Sequence, residues 1–145
     1  MTTTDNPAAR LDALVGVWTG EETLQGGVTG RTTSVAHRRL GAFVVADHYQ
    51  VRSDGRVYDN HLIYGWDDKR GRYSVVQFDS AGRGGDAMYG DWSGDTLTFS
   101  AATPGGHFRY AYVFAGESYA FTFARSKDGT SWDTVVSGRF RRARP

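Results

Sequence analysis

Ten segments rich in aromatic and β-branched residues follow one another along this chain, and nearly every break between them is a turn signal of hairpin length. The segments are 16–24, 31–40, 42–52, 57–66, 72–80, 86–92, 95–102, 107–115, 118–125 and 132–141. The breaks read GGVTG, SDGR, WDDKRGR, SAGRGG, SGD, TPGG, AGE and SKDGT. Several carry Asp-Gly or Gly-Asp, which suits tight hairpin turns. Strands repeating at roughly 8 to 12 residues signal a sandwich or an up-and-down barrel. About ten strands cannot stay flat, and closing the sheet removes both hydrogen-bonding edges. The expected fold class is all-β: one antiparallel up-and-down β-barrel of about 8–10 strands, in a single domain over 1–145.

One short helix precedes the strands. Asn6 caps it, Pro7 suits its first position and Gly16 ends it. Leu11, Leu14 and Val15 fall on one face, so the helix lies against the barrel as a plug. Residues 1–5 and 142–145 are expected to be loose tails.

A chain of 145 residues with 19 glycines, four Trp, eight Tyr and eight Phe fits such a barrel. Aromatics favour strands, and glycines mark turns, bulges and corners. No cysteine is present, which excludes disulfides and thiolate metal sites. The net charge of +1 does not predict a nucleic-acid partner. No apolar run approaches the ~20 residues that span a membrane, and the N-terminus lacks an export-signal core. The expectation is a cytoplasmic monomer or homodimer.

Alternation assigns strand faces. Phe108, Tyr110, Tyr112 and Phe114 share one face, as do Tyr119, Phe121 and Phe123. In 42–52, Phe43, Val45, Tyr49 and Val51 form the apolar face with Asp47 in its middle, and His48, Gln50 and Arg52 take the outer face. In 57–66 two faces compete, Tyr58, Leu62 and Tyr64 against Val57, His61 and Ile63. In the first strand Trp18, Gly20, Glu22 and Leu24 share a face. Trp18 then sits at the closed end of the barrel, with Gly16 and Gly20 making room. Arg139 or Arg141 of the last strand is placed to cover its ring as a cation–π pair.

The G-V-W-T-G at 16–20 and the basic G-R-F-R-R at 138–142 resemble the calycin superfamily, which holds lipocalins, fatty-acid-binding proteins and nitrobindins. More closely, the chain is similar to a bacterial family of small lipocalin-like domains. The pieces that carry this are L-x-x-L-V-G-V-W-T-G-E (11–21), R-x-L-G-A-F-V-V (38–45), G-W-D-x-x-x-G-R-Y (65–73) and F-D-S-A-G (78–82). The resemblance implies a calycin-like barrel around a hydrophobic cavity, with Trp18 and its Arg structural. It names no activity.

The catalytic candidates are Asp47, Glu22 and His61. A carboxylate facing an apolar barrel interior is costly unless paired, and burial raises its pKa and readies it as a general acid or base. The competing reading pairs one of the acids with Arg109 or Arg38, or has a bulge in this glycine-rich chain turn it outward. Candidate ligand contacts are Gln77, whose amide can orient a ligand, the phenols Tyr64, Tyr89 and Tyr110, and the aromatic wall of Phe43 and Tyr49. No metal is expected, because none of the four histidines forms a ligand pattern. No cofactor is expected either. A haem reading, by analogy with nitrobindins, requires His107 or His61 inside. Two functions stay open. One is a cofactor-independent enzyme that cyclises, isomerises or dehydrates a small apolar metabolite inside the barrel. The other is a non-catalytic binder or carrier of such a molecule.

Overall fold

A computed structural model describes residues 6–143. The expected tails at 1–5, 144 and 145 lie outside the described residues. Arg142, expected in a tail, belongs to the last strand.

The chain opens on a 3-10 helix, Pro7–Leu14, whose Asn6 side chain accepts from the Ala8 amide at 3.2 Å. Ten strands follow: β1 Gly16–Leu24, β2 Thr29–Arg39, β3 Phe43–Arg52, β4 Val57–Asp67, β5 Arg72–Asp79, β6 Gly84–Ser93, β7 Thr96–Thr103, β8 Gly106–Ala115, β9 Ser118–Ser126 and β10 Asp133–Arg142. Each pairs antiparallel with its neighbours in sequence, and β10 pairs with β1 to close the barrel. The expected fold class is therefore the observed one. Closure leaves no strand edge for another chain to extend.

The helix seals one end. Leu11 and Leu14 are buried there, beside Trp18 at 1 % exposure. The Trp18 indole N–H donates to the Leu14 carbonyl at 2.9 Å, so the helix and the first strand share one hydrogen bond. Arg142, two residues along the same face from Phe140, covers the ring at 4.3 Å. It also donates to the Val15 carbonyl and pairs with Glu117 at 2.8 Å. Arg139 and Arg141, the residues expected in this role, point outward because they alternate with Phe140 and Arg142. Gly16 permits the arrangement: its φ is +140°, and a Cβ there would lie 2.5 Å from the Arg142 guanidinium.

Above this plug the closed half of the barrel is solid. Tyr64, Phe99, Tyr112, Tyr119 and Phe140 are buried and meet edge-on, tilted or stacked. Tyr64 and Tyr112 join hydroxyls at 2.7 Å, which satisfies both in an otherwise apolar layer.

The face of β3 is the reverse of the expected one. Val44, Ala46 and Gln50 are buried inside and His48 points inward with them. Phe43, Tyr49 and Val51 are on the outer surface at 38, 50 and 43 % exposure, and Asp47 stands among them. The ambiguous strand β4 resolves in favour of Tyr58, Leu62 and Tyr64 inside, with Val57, His61 and Ile63 outside.

Candidate functional site

The open half of the barrel is polar, and its deepest charge is Glu22. This residue is 6 % exposed, facing inward as alternation in β1 requires. Its neighbours across both strand pairs are glycines, Gly138 on β10 and Gly30 on β2. A Cβ on Gly138 would stand 2.6 Å from the Glu22 side chain, and one on Gly30 would stand 2.7 Å from that of Gln50. The two glycines thus open the space in which the carboxylate and its amide partner sit.

Glu22 Oε1 accepts two hydrogen bonds, from the Thr32 hydroxyl at 2.5 Å and the Gln50 amide at 2.8 Å. Oε2 has no partner among the described residues. Among the same residues no Arg or Lys forms an ion pair with it. Burial pushes the Glu22 pKa above its ordinary 4.5, and the Thr32 and Gln50 hydrogen bonds and the more remote Arg52 charge only partly offset this.

From Glu22 the contacts run around the wall. Arg52 Nε donates to Gln50 Oε1 at 2.7 Å, so Gln50 relays between the cation and the carboxylate. The Arg52 guanidinium lies over the Tyr58 ring at 4.9 Å. Tyr58 donates to Asp79 at 3.0 Å and receives a hydrogen bond from the Gln77 amide at 3.4 Å. Tyr110 closes the belt by donating to Gln77 Oε1. Burial and the Asp79 carboxylate raise the Tyr58 phenol to about 12. Burial also pushes Asp79 up, yet donors from Arg83 and Tyr58 outweigh it and hold its pKa below the ordinary 3.8. Asp79 is thus a fixed anion tying the β5–β6 turn to the barrel.

Beside the belt, His48 stands opposite Ser34 on one strand and Asn60 on the other. Burial holds its pKa down to about 4, against the weaker pull of Asp47, so its imidazole is neutral at pH 7. Asn60 Oδ1 is buried without a hydrogen-bond partner among the described residues. On the facing wall Phe108, Phe121 and Phe123 point inward and remain only partly buried. These three rings face the interior and keep part of their surface accessible, unlike Tyr64, Phe99 and Phe140 in the solid half.

The sequence candidates divide on this map. Glu22, Gln77 and Tyr110 belong to the belt. Tyr64 is inside but locked in the solid half against Tyr112. Tyr89 is outside, under the Arg70 guanidinium at 4.7 Å. Phe43 and Tyr49 are outside with the reversed face of β3. Asp47 and His61 are brought together, but on the outer surface: they are directly opposite on β3 and β4, with His61 Nδ1 2.6 Å from Asp47 Oδ1. His107 also faces out, against the 127–132 turn at Gly129. The two Arg residues considered as partners for the acids are used elsewhere. Arg38 pairs with Asp12 at 2.5 Å, and Arg109 covers Trp132 at 4.1 Å. Gln50, Thr32, Arg52, Tyr58 and His48 were missed as site residues. The sequence reading places Gly30 in the GGVTG turn; it is instead the second residue of β2, where the Gln50 side chain would come within 2.7 Å of a Cβ.

Among the described residues no group of three or more His, Asp or Glu side chains is close enough to hold a metal ion. Among the same residues no helix is long and apolar enough to cross a membrane.

No protein-family model matches this sequence, and no curated protein matches it. Solved structures do. The crystal structure of Rv2717c from M. tuberculosis is similar with a TM-score of 0.74 at 15 % identity, over 95 % of this chain and 98 % of that one. A fluorescence-activating β-barrel designed de novo matches with a TM-score of 0.54 at 17 % identity, over 91 % and 97 % of the two chains. A redesigned barrel, mFAP0, bound to DFHBI, matches with a TM-score of 0.53 at 13 % identity, over 90 % and 99 %. At such identities these likenesses show the closed β-barrel fold alone.

Proposed function

We propose that the protein binds a small molecule in the open half of its barrel, with the ligand's apolar body against Phe108, Phe121 and Phe123 and a hydrogen-bond donor directed at Glu22. The observation that carries this reading is the carboxylate itself. Glu22 is almost wholly buried, Gly138 makes room for it and Gly30 for its partner Gln50, and one of its oxygens has no partner among the described residues. The oxygen without a partner keeps solvent access while the other is fixed by Thr32 and Gln50, so it is free to accept a hydrogen bond from a ligand. Asn60 Oδ1 and the His48 imidazole add polar groups to the same recess. A largely apolar pocket with a few convergent polar groups is the usual form of a small-molecule site.

Catalysis is the second reading, and it rests on Glu22 alone. Its raised pKa suits it to proton transfer, but Asp47 and His61 stand on the other side of the wall and cannot assist inside the barrel. The haem reading loses both histidines named for it, since His61 and His107 face outward.

The test is a thermal-shift screen of small aromatic amines and amides against the native chain and the Glu22→Gln variant. Compounds that raise the melting temperature of the native chain and lose most of that shift in the variant support the proposal. Hits that stabilise both equally would place binding elsewhere. Conversion of a bound compound, lost in Glu22→Gln, would move the conclusion to the enzyme reading.

A further inference from the structure

The two arginines expected over Trp18 are left unexplained by the barrel interior. Arg139 and Arg141 lie two residues apart on β10, so both project from the outer face, about 7 Å apart along the strand. Both are exposed, and neither takes part in a side-chain hydrogen bond or ion pair among the described residues. They border an outer concavity of about 1120 Å³ formed across β2, β1, β10, β9 and the end of β8. Arg31 stands on its other side, in the same cross-strand row as Glu21 and Arg139. Glu21 lies between the two and is the one acid among the residues lining the concavity. It approaches Arg31 no closer than 3.9 Å. The floor carries hydroxyls, notably Thr19, Thr23 and Ser137.

Another outer hollow differs. A second concavity, of about 540 Å³ on β2–β5, is lined by Asp47, Asp59 and Asp79 with no Arg or Lys. A chain of net charge +1 thus places three arginines against a single acid in the larger of these two hollows. Guanidinium groups bind phosphate oxygens through paired N–H donors, and hydroxyls complete the shell.

We propose that this outer concavity binds a small molecule bearing two linked phosphate groups, one held by Arg139 and Arg141 and the other reaching toward Arg31. The site is separate from the barrel recess: its side chains leave the opposite face of the sheet from Glu22.

The experiment is an amide NMR titration of the full chain at low salt with sodium pyrophosphate, and in parallel with inorganic phosphate. Saturable shifts confined to 19–23, 31–33 and 137–141 are expected, with pyrophosphate binding tighter than phosphate. The Arg139→Gln/Arg141→Gln double variant should weaken pyrophosphate binding about a hundredfold, one factor of ten for each lost charged contact. Glu21→Gln, which removes the acid from the hollow, should tighten it several-fold. All three positions are exposed, and amide dispersion of each variant verifies folding. The proposal is overturned by shifts that do not saturate or that map to Arg52 and Arg83 at the barrel mouth. Equal affinity for phosphate, or undiminished binding by the double variant, overturns it as well.

Discussion

Gly138 lies directly across from Glu22 in the β1–β10 pair, and a Cβ on it would stand 2.6 Å from the Glu22 Cγ. The glycine is therefore the seat of the carboxylate. Gly138→Ala should destabilise the fold by about 2 kcal/mol, the range of an overpacked interior. In a Glu22→Ala background the same change should cost less. It should still cost something, because the Glu21 carbonyl oxygen lies 2.9 Å from the added carbon. Urea unfolding of the four chains gives the coupling, and a coupling of zero would show that Glu22 does not depend on Gly138.

The pH dependence of stability separates two inward groups of opposite sign. Glu22 has a folded pKa above 4.5, so the folded chain holds a proton that the unfolded chain releases. Its contribution is complete below pH 4.5 and is lost as pH rises through the folded value. Glu22→Gln should therefore be more stable than the native chain at pH 7, with the advantage fading toward pH 4.5. His48 works the other way. Its folded value of about 4 lies below the ordinary 6.5, so its contribution is present above pH 6.5 and lost as pH falls toward 4. His48→Gln should flatten that acid limb, removing no more than about 3 kcal/mol of pH-dependent loss. Denaturant midpoints from pH 4 to 8 check both, and a native acid limb unchanged in His48→Gln would place the titration on other groups.

Tyr64 and Tyr112 test the solid half. Each hydroxyl's one partner among the described residues is the other, at 2.7 Å in a fully buried layer. Tyr64→Phe or Tyr112→Phe alone strands a buried hydroxyl and should cost about 1–3 kcal/mol. The double Phe chain strands nothing, so its loss should be smaller than the sum of the two singles. Strict additivity, read from urea unfolding, would mean the two hydroxyls do not depend on each other.

How legible the site was depended on which strand carried it. In β1 the inward face was readable, because Trp18 could only be buried and Glu22 shares its phase. In β3 the same reasoning chose the wrong face. Phe43, Val45, Tyr49 and Val51 outweigh Val44, Ala46, His48 and Gln50 in hydrophobicity, yet the second set faces in. Here the barrel is apolar outside and polar inside, and a shift of one residue exchanges every side chain. Period-two reasoning assumes that the more apolar phase is buried, and a strand that lines a polar recess breaks that assumption. The error carried Asp47, Phe43 and Tyr49 into the expected site and kept Gln50 and His48 out of it. The strand order was readable throughout, because hairpin-length links leave a ten-strand sheet little choice but to wind in sequence order and close.

Alternation in β10 sends the adjacent Arg141 and Arg142 to opposite faces of the sheet. Arg142 joins three partners at the closed end: the Trp18 ring at 4.3 Å, the Val15 carbonyl and Glu117 at 2.8 Å. A partly desolvated cation–π pair contributes about 1–2 kcal/mol, and the exposed side of the Glu117 pair adds less than about 1 kcal/mol. Arg142→Ala should therefore cost about 2–3 kcal/mol, including the packing of its stem against the indole. Arg141 points outward with no side-chain partner among the described residues, and Arg141→Ala should change stability by no more than about 0.5 kcal/mol. Arg142→Lys should fall between the two, since an ammonium keeps the charge but cannot cover the ring and reach the carbonyl with one planar group. Melting curves with Trp fluorescence read both stability and the indole's surroundings. If Arg141→Ala proved the more damaging, the last strand would be out by one residue, and with it the placement of Arg139 and Arg141 on the outer hollow.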